Sequence, residues 1–317
     1  MLLNRVLTYP LRLSPLEATF ARRGFPIGDR QNQARLETIG KTFLHGYHAA
    51  LDNQGLGQLK RQLEQIDPQL QGFGFEGTGM GLAILDQITP WKGQRVQAFL
   101  ANEGQHQRYV IHVGVGWAVA RMRWTLPKVV QALDPILRWL VLDGYGFHQG
   151  YFAWHESFIQ QHYPQKFDAK QLAIFDQGLG RSLWFVTSSN PRMIANVISR
   201  FAQERQINLW AGVGLACTYA GSNNPEALHA IAELGATYST AITQGVSFAA
   251  KTRLHAGYVP EHSELACQIL CQQSVAEAAA ITDQQLLRVN QNGSIDSYHH
   301  WQELIRACYL KKEAIAV

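Results

Sequence analysis

The chain is short of charge. Only 16% of its 317 residues are Asp, Glu, Lys or Arg, while 46% are hydrophobic. That balance excludes an extended disordered polymer and implies burial of much of the surface, against itself or a partner. The net charge is only +4. Lys/Arg tracts are absent, since Arg22 and Arg23, and Arg121 and Arg123, are mere pairs, and this argues against nucleic acid as a partner. Cysteine is scarce and late: Cys217, Cys267, Cys271 and Cys308 do not make a disulfide framework. Cys267 and Cys271, four apart, share a helical face and read as buried small apolar side chains rather than a metal or redox pair. No uncharged apolar run reaches the roughly 18 residues of a membrane-crossing helix. The apolar stretch from Met1 to Pro15 is broken by Arg5, Pro10 and Arg12, unlike a secretory signal. A cytoplasmic, soluble protein is expected, with an interfacial helix left open.

Familiar catalytic signatures are also missing. There is no phosphate-binding loop, and the glycine-rich segments lack the strand, spacing and acid of a dinucleotide fingerprint. Gly180-Arg181-Ser182-Leu183 is not a nucleophile elbow. No His-Glu-x-x-His zinc motif occurs.

Glycine, by contrast, is plentiful, with 27 residues. It recurs in apolar segments at Gly79-Met80-Gly81, Gly114-Val115-Gly116, Gly178-Leu179-Gly180 and Gly212-Val213-Gly214. These segments belong to an internal repeat. Phe75-Glu76-Gly77-Thr78-Gly79-Met80-Gly81 aligns, with one residue of slack, with Phe175-Asp176-Gln177-Gly178-Leu179-Gly180. Thr89-Pro90 then matches Asn190-Pro191, and Phe99 matches Phe201. His112 to Ala118 matches Trp210 to Ala216, and His148-Gln149-Gly150-Tyr151 matches Thr243-Gln244-Gly245-Val246. Landmarks in the same order imply a duplication. The chain divides into an N-terminal helical segment (1–70), a first repeat (71–160), a second repeat (161–258) and C-terminal helices (259–317), as one compact unit.

Period and length favour helix for most segments. Phe43 to Leu51 has apolar residues near a 3.6 spacing, and residues 52–70 are polar and partly exposed. Val129 to Leu142 reads as one long apolar helix kinked at Pro135. Pro191 to Gln203 carries an apolar stripe, with Asn190 as N-cap. Glu261 to Ala280, free of Gly and Pro, reads as one helix, and Trp301 to Leu310 as the last. The paired glycines oppose helix by roughly 1 kcal/mol each, so they imply close approach of a neighbouring backbone or of a ligand. Val-Gly-Val-Gly-Trp-Ala-Val also admits a strand. Helix is the preferred reading. The fold expected is mainly α: two tandem pseudo-symmetric helical repeats packed around an apolar, glycine-lined cleft.

Several ordered motifs resemble one family. They are Ala21-Arg22-Arg23-Gly24-Phe25, Phe43-Leu44-His45-Gly46-Tyr47, Gly72-Phe73-Gly74-Phe75-Glu76-Gly77, His112 to Ala118, Asp143 to Phe152, and Phe175 to Ser182. Together they are similar to a domain of unknown function encoded beside enediyne polyketide synthases, from about residue 20 to about residue 310. The resemblance implies a role in converting a linear polyene into an enediyne core or its precursor, in company with polyketide synthase cluster enzymes. It carries over no catalytic residues. Homologues outside such clusters leave another polyene or a lipid-like molecule open as the substrate.

The densest chemistry lies from Asp143 to Glu156, with Asp143, Tyr145, His148, Tyr151, His155 and Glu156. If that span is helical, His148 faces Tyr151 and Phe152, and shares a face with His155. Such a face suits a metal or haem, or a general acid beside an apolar substrate; the bland alternative is an aromatic helix with hydrogen-bonded histidines. Glu76 and Asp176, at equivalent places, are candidates to meet at the repeat interface, one held protonated; otherwise they serve the first turn of a helix. His112 stands where the second copy has Trp210. Gln149 and Gln244 are equivalent and precede glycine, as buried anchors or as substrate contacts. Arg181 and Lys251 are cations in apolar surroundings, suited to pair with Glu76 or Asp176 or to receive an anionic substrate group.

Three functions remain open on the residues alone. In the first, an enzyme acts on a conjugated polyene: Gly79, Gly81, Gly114, Gly116, Gly178, Gly180, Gly212 and Gly214 let backbones approach it, and Tyr151, Phe152, Trp154 and Trp184 stack on it. There His148, with Glu76, Asp176 or His112, moves protons, with Tyr145 and Asp143 nearby. In the second, a non-catalytic module binds a polyene or docks on the synthase. In the third, a helical scaffold has a filled core. A homodimer is compatible with each.

Overall fold

The computed structural model describes residues 8–52, 55–89, 93–124, 126–221 and 224–315. Helix accounts for 76% of the chain and no strand occurs among the described residues, so Val113 to Ala118 is helical. Pro90, a landmark of the expected repeat, lies outside the described residues. The helices are α1 (Arg30–Asp52), α2 (Leu56–Leu63), α3 (Gln71–Ile88), α4 (Arg95–Ala101), α5 (Arg108–Met122), α6 (Leu140–Phe152) and α7 (Ala169–Val186). They continue with α8 (Pro191–Ile198), α9 (Gln203–Tyr219), α10 (Pro225–Leu234), α11 (Ser239–His255), α12 (Glu261–Cys271), α13 (Val275–Leu286) and α14 (Ile295–Ile315). No described helix is long and apolar enough to cross a membrane.

The core is a single row of neighbours in the order α1, α3, α5, α6, α7, α9, α11, α13, and α9 and α11, for example, run the same way, since Gln206 meets Tyr238 near their starts and Tyr219 meets Arg253 near their ends. Glycine explains the row. Residues two apart on a helix point about 200° apart, so the two glycines of a Gly-x-Gly face opposite neighbours. Gly114 faces the carbonyl of Glu76 on α3, and Gly116 faces that of Val141 on α6. Gly178 faces Asp143 and Gly180 faces Leu209 in the same way. Partners reciprocate: Gly79 meets the Ile111 carbonyl and Gly212 meets that of Gln177. A side chain at any of these glycines would come closer than 3.0 Å to a backbone oxygen. Close backbone approach offsets the poor helix propensity of glycine. Gly114, Gly116, Gly178, Gly180, Gly212 and Gly214 therefore stand at helix contacts, and none lines the cavities described below.

The same angular arithmetic orients the rest of each helix. The residue before the first glycine and the one after the second are four apart and turn to the same side. These pairs are Val113 and Trp117, Asp143 and Phe147, Gln177 and Arg181, and Ala211 and Leu215. On α3 the corresponding pair is Glu76 and Met80. The row curves toward this side: Arg35 of α1 reaches the Ala220 carbonyl after α9, and Phe73 of α3 meets the Tyr219 ring edge-on at 5.2 Å. Helix α14 fills part of the concave side, where Gln302 donates to Gln177 at 2.9 Å.

Three expected helices are cut. Val129 to Leu142 is not continuous: a short helical turn ends at Val130, a 3-10 turn covers Leu137–Trp139, and α6 starts at Leu140. Pro135 cannot supply a helical N–H, and the Asp134 carboxylate instead caps Ile136 and Leu137 at 2.9 Å each. Glu261 to Ala280 divides into α12 and α13, because Gln272 takes a left-handed conformation and Ser274 with Glu277 forms a capping box. Residues 191–203 likewise divide at Ile198, while Asn190 does cap α8 by accepting from the Met193 N–H.

Candidate functional site

On the concave side, α1, α3, α5, α6, α7 and α9 enclose an apolar cavity. Its empty volume is about 620 Å³, solvent at the mouth included. Phe43, Phe73, Trp117, Phe147, Tyr151, Phe152, Phe185 and Tyr219 supply an aromatic wall. The charged residues on that wall are Glu17, Glu76 and Arg181. Glu17 is paired with Arg22 and Arg23. A second cavity, of about 480 Å³ with solvent at the mouth included, lies toward α11 and α14 and shares Arg181, Leu215 and Tyr219 with the first.

Glu76 and Arg181 face each other across the curve. Glu76 is 3% exposed and accepts the indole N–H of Trp117 at 3.0 Å. An Arg181 Nη2 stands 3.9 Å from the same carboxyl oxygen. Asp143, fully buried, pairs with the other arm of Arg181 and accepts from Gln177 at 2.8 Å. Gln177 in turn receives Gln302 and, at 3.4 Å, Gln244, which accepts from Arg306. The guanidinium thus serves Asp143 first and Glu76 at longer range. Burial raises the Glu76 carboxyl to about 7, against the pull of Arg181 and the Trp117 N–H, and with help from Asp143. Burial alone would lower Arg181, but Asp143 and then Glu76 hold it charged. The result is one carboxyl poised to exchange a proton near neutrality, on the wall of an aromatic cavity.

The other candidates are placed as follows. Asp176 does not meet Glu76; it forms a two-pronged pair with Arg205 at 2.6 and 2.8 Å. Burial raises it to about 6 against that arginine. Lys251 pairs with Asp283 rather than with Glu76 or Asp176. His148 packs on Phe152 at 4.8 Å and on Trp117 at 5.8 Å, with its Nδ1 unpartnered. Burial, then Arg121, pushes it down to about 3, so the ring is neutral near pH 7. His155 does not share its helical face, because α6 ends at Phe152; His155 is exposed and lies on Trp154 at 3.7 Å.

His112 lines a separate surface hollow with Arg108 and Asp134, and burial lowers it to about 4. Tyr145 packs on Phe167 and Phe175. Trp154 donates to the Arg23 carbonyl at 3.1 Å, and Trp184 is buried against Gly221. Gln244 is buried and bonded, whereas Gln149 is partly exposed. Cys267 and Cys271 are buried and not joined in a disulfide. Among the described residues no group of three or more His, Cys, Asp or Glu side chains is arranged to hold a metal ion.

The structure thus brings together Glu76, Asp143, Arg181, Tyr151 and Phe152, and adds Trp117, Phe147, Gln177 and Tyr219. The signal for several of these was in the chain: Trp117, Phe147 and Gln177 each flank a Gly-x-Gly. Only the helix geometry shows what that position means.

The molecule is therefore an all-helical protein that holds a carboxyl–guanidinium group on the wall of an aromatic cavity. The chain belongs to the family described as Protein of unknown function (DUF1702), whose model matches residues 2–309. No curated protein and no solved structure matches it.

Proposed function

We propose that the protein binds a linear conjugated polyene in the first cavity and that Glu76 exchanges a proton with it. The observation that carries this reading is the Glu76 carboxyl, raised to about 7, on a wall otherwise built largely from aromatic rings. The cavity opens to solvent at its mouth, and flat rings suit a flat polyene. A protonated Glu76 delivers a proton to one carbon of a conjugated system; the carboxylate then removes one from another carbon. The net change is a shifted double bond, with no oxidant or reductant consumed. Arg181 stabilises the carboxylate form, and Asp143 with Gln177 fixes the guanidinium.

The resemblance to proteins encoded beside enediyne polyketide synthases supports a polyketide-derived polyene as substrate. The order of the glycine contacts supports reading α3, α5, α6 and α7, α9, α11 as two tandem copies. One observation favours a carrier instead of an enzyme: Glu76 already has a hydrogen-bond donor in Trp117. The test offers a long-chain conjugated tetraene, as the methyl ester, to the wild type and to Glu76→Gln. A rise in tetraene fluorescence reports binding, and a change in its absorption bands with time reports isomerisation. Binding by both proteins with isomerisation by the wild type alone supports the enzyme. Binding without isomerisation by either supports the carrier, and no binding contradicts the reading.

A further inference from the structure

Four arginines are buried among the described residues: Arg95, Arg181, Arg205 and Arg253. The first three each hold a carboxylate, on Asp86, Asp143 and Asp176. Arg253 is the most deeply buried of them, at 2% exposure, and faces no carboxylate among the described residues. Two of its nitrogens donate to the carbonyls of Gln69 and Tyr219, and its Nε has no partner. Its guanidinium lies 3.9 Å over the Tyr219 ring.

A second unpaired cation approaches the same place from α1. Arg35 Nε donates to the Ala220 carbonyl at 2.9 Å, and its Nη2 stands 3.2 Å from His262 Nδ1. His262 Nε2 is 3.3 Å from the Tyr219 carbonyl. Burial, then Arg35 and Arg253, lower His262 to about 3, so it is neutral near pH 7. Two full positive charges therefore sit at the C-terminal end of α9. The carbonyl dipoles there offset only about half a charge, and a buried guanidinium without a counter-charge is costly. A purely capping role leaves both the excess charge and the orphaned Nε unexplained.

The cluster adjoins the first cavity. Tyr219 and Ala220, whose carbonyls the two arginines bind, both line it, as does Ile39, one helical turn after Arg35. We propose that Arg35 and Arg253 receive the carboxylate of a carboxylate-terminated chain whose apolar body lies in that cavity. The site rests on the cavity reading above and adds the chemistry of one end of the ligand. A carboxylate matches the fork of a guanidinium. It would give the Arg253 Nε an acceptor and offset the unpaired charge.

The test compares a long-chain conjugated tetraene fatty acid with its methyl ester above neutral pH, by fluorescence titration. The free acid is expected to bind about tenfold tighter or more, the worth of a charge-assisted hydrogen bond. Arg35→Gln, at a half-buried position, is expected to bring that ratio close to one, and Arg35→Lys to restore part of it. An independent readout in the unaltered protein is the His262 ring resonance by NMR at the same pH. It is expected to shift with the acid bound and not with the ester. Equal affinities for acid and ester in the wild type, or a His262 resonance that responds alike to acid and ester, would overturn the head-group site while leaving the cavity reading standing. Failure of both ligands to bind would overturn the cavity reading and this site with it.

Discussion

Asp143 touches α7 twice: its carbonyl oxygen occupies the space where a side chain at Gly178 would stand, and its carboxylate holds Arg181, three residues further on. Packing and site are thus one arrangement. The same holds for Glu76, whose carbonyl faces Gly114, and for Gln177, whose carbonyl faces Gly212. The polar side chains of the site stand on backbones that glycine brings close.

Replacing Gly178 with alanine should therefore cost stability well beyond any propensity gain. The added methyl overlaps the backbone of Asp143, and overpacking of this kind costs about 1–3 kcal/mol. Gly57→Ala in α2 is the control, because its new methyl meets only the end of Arg61 at 3.8 Å. It should be neutral or gain up to about 1 kcal/mol. Urea unfolding of both variants checks this; equal stabilities would mean that α6 and α7 do not need their close contact.

Glu76 makes stability depend on pH in a defined direction. Its folded value, about 7, lies above its ordinary 4.5, so the native state holds the extra proton between them. Its contribution is fully present below the lower value and is lost as pH rises through the upper. Glu76→Gln keeps an acceptor for Trp117 and does not ionise. The stability of the variant relative to the wild type should therefore rise across that window, by on the order of 3 kcal/mol. Asp176, His112, His148 and His262 titrate in both proteins and cancel in the difference. Urea midpoints at a series of pH values measure it, and a difference that is flat with pH would contradict the burial of an ionisable Glu76.

Asp143→Asn removes the nearest counter-charge of Arg181. Breaking a buried pair costs about 3–5 kcal/mol, which should appear in urea unfolding. Glu76 should titrate lower in this variant, because Asp143 raises it and Arg181 is left to face it alone. An unchanged Glu76 titration in folded Asp143→Asn protein would show that the three groups are not coupled.

Much of this was legible in the chain. Helix content followed from period and length, and the importance of the glycines from their pairing. Their role did not, since a ligand and a neighbouring backbone make the same demand for a missing side chain. The carboxyl of Glu76 stood out, and Arg181 was among the cations offered to it, but its hydrogen-bond donor was not. Arg205 for Asp176 and Trp117 for Glu76 come from other helices, and no local pattern announces them. His148 drew attention as a proton carrier, yet its ring is surrounded by Trp117 and Phe152 and loses its proton affinity to burial. The breaks at Asp134 and Gln272 were hidden because side-chain capping and a left-handed glutamine, rather than glycine, end the helices there.

The most direct measurement is an infrared difference titration of the wild type and Glu76→Gln, with and without the tetraene methyl ester. The wild type should show a protonated carboxyl band that the variant lacks, with a midpoint at about 7, and the band should shift when the tetraene is bound. A Glu76 that stays ionised well below that midpoint, or a band indifferent to bound tetraene, would contradict a proton-exchanging carboxyl in the ligand cavity.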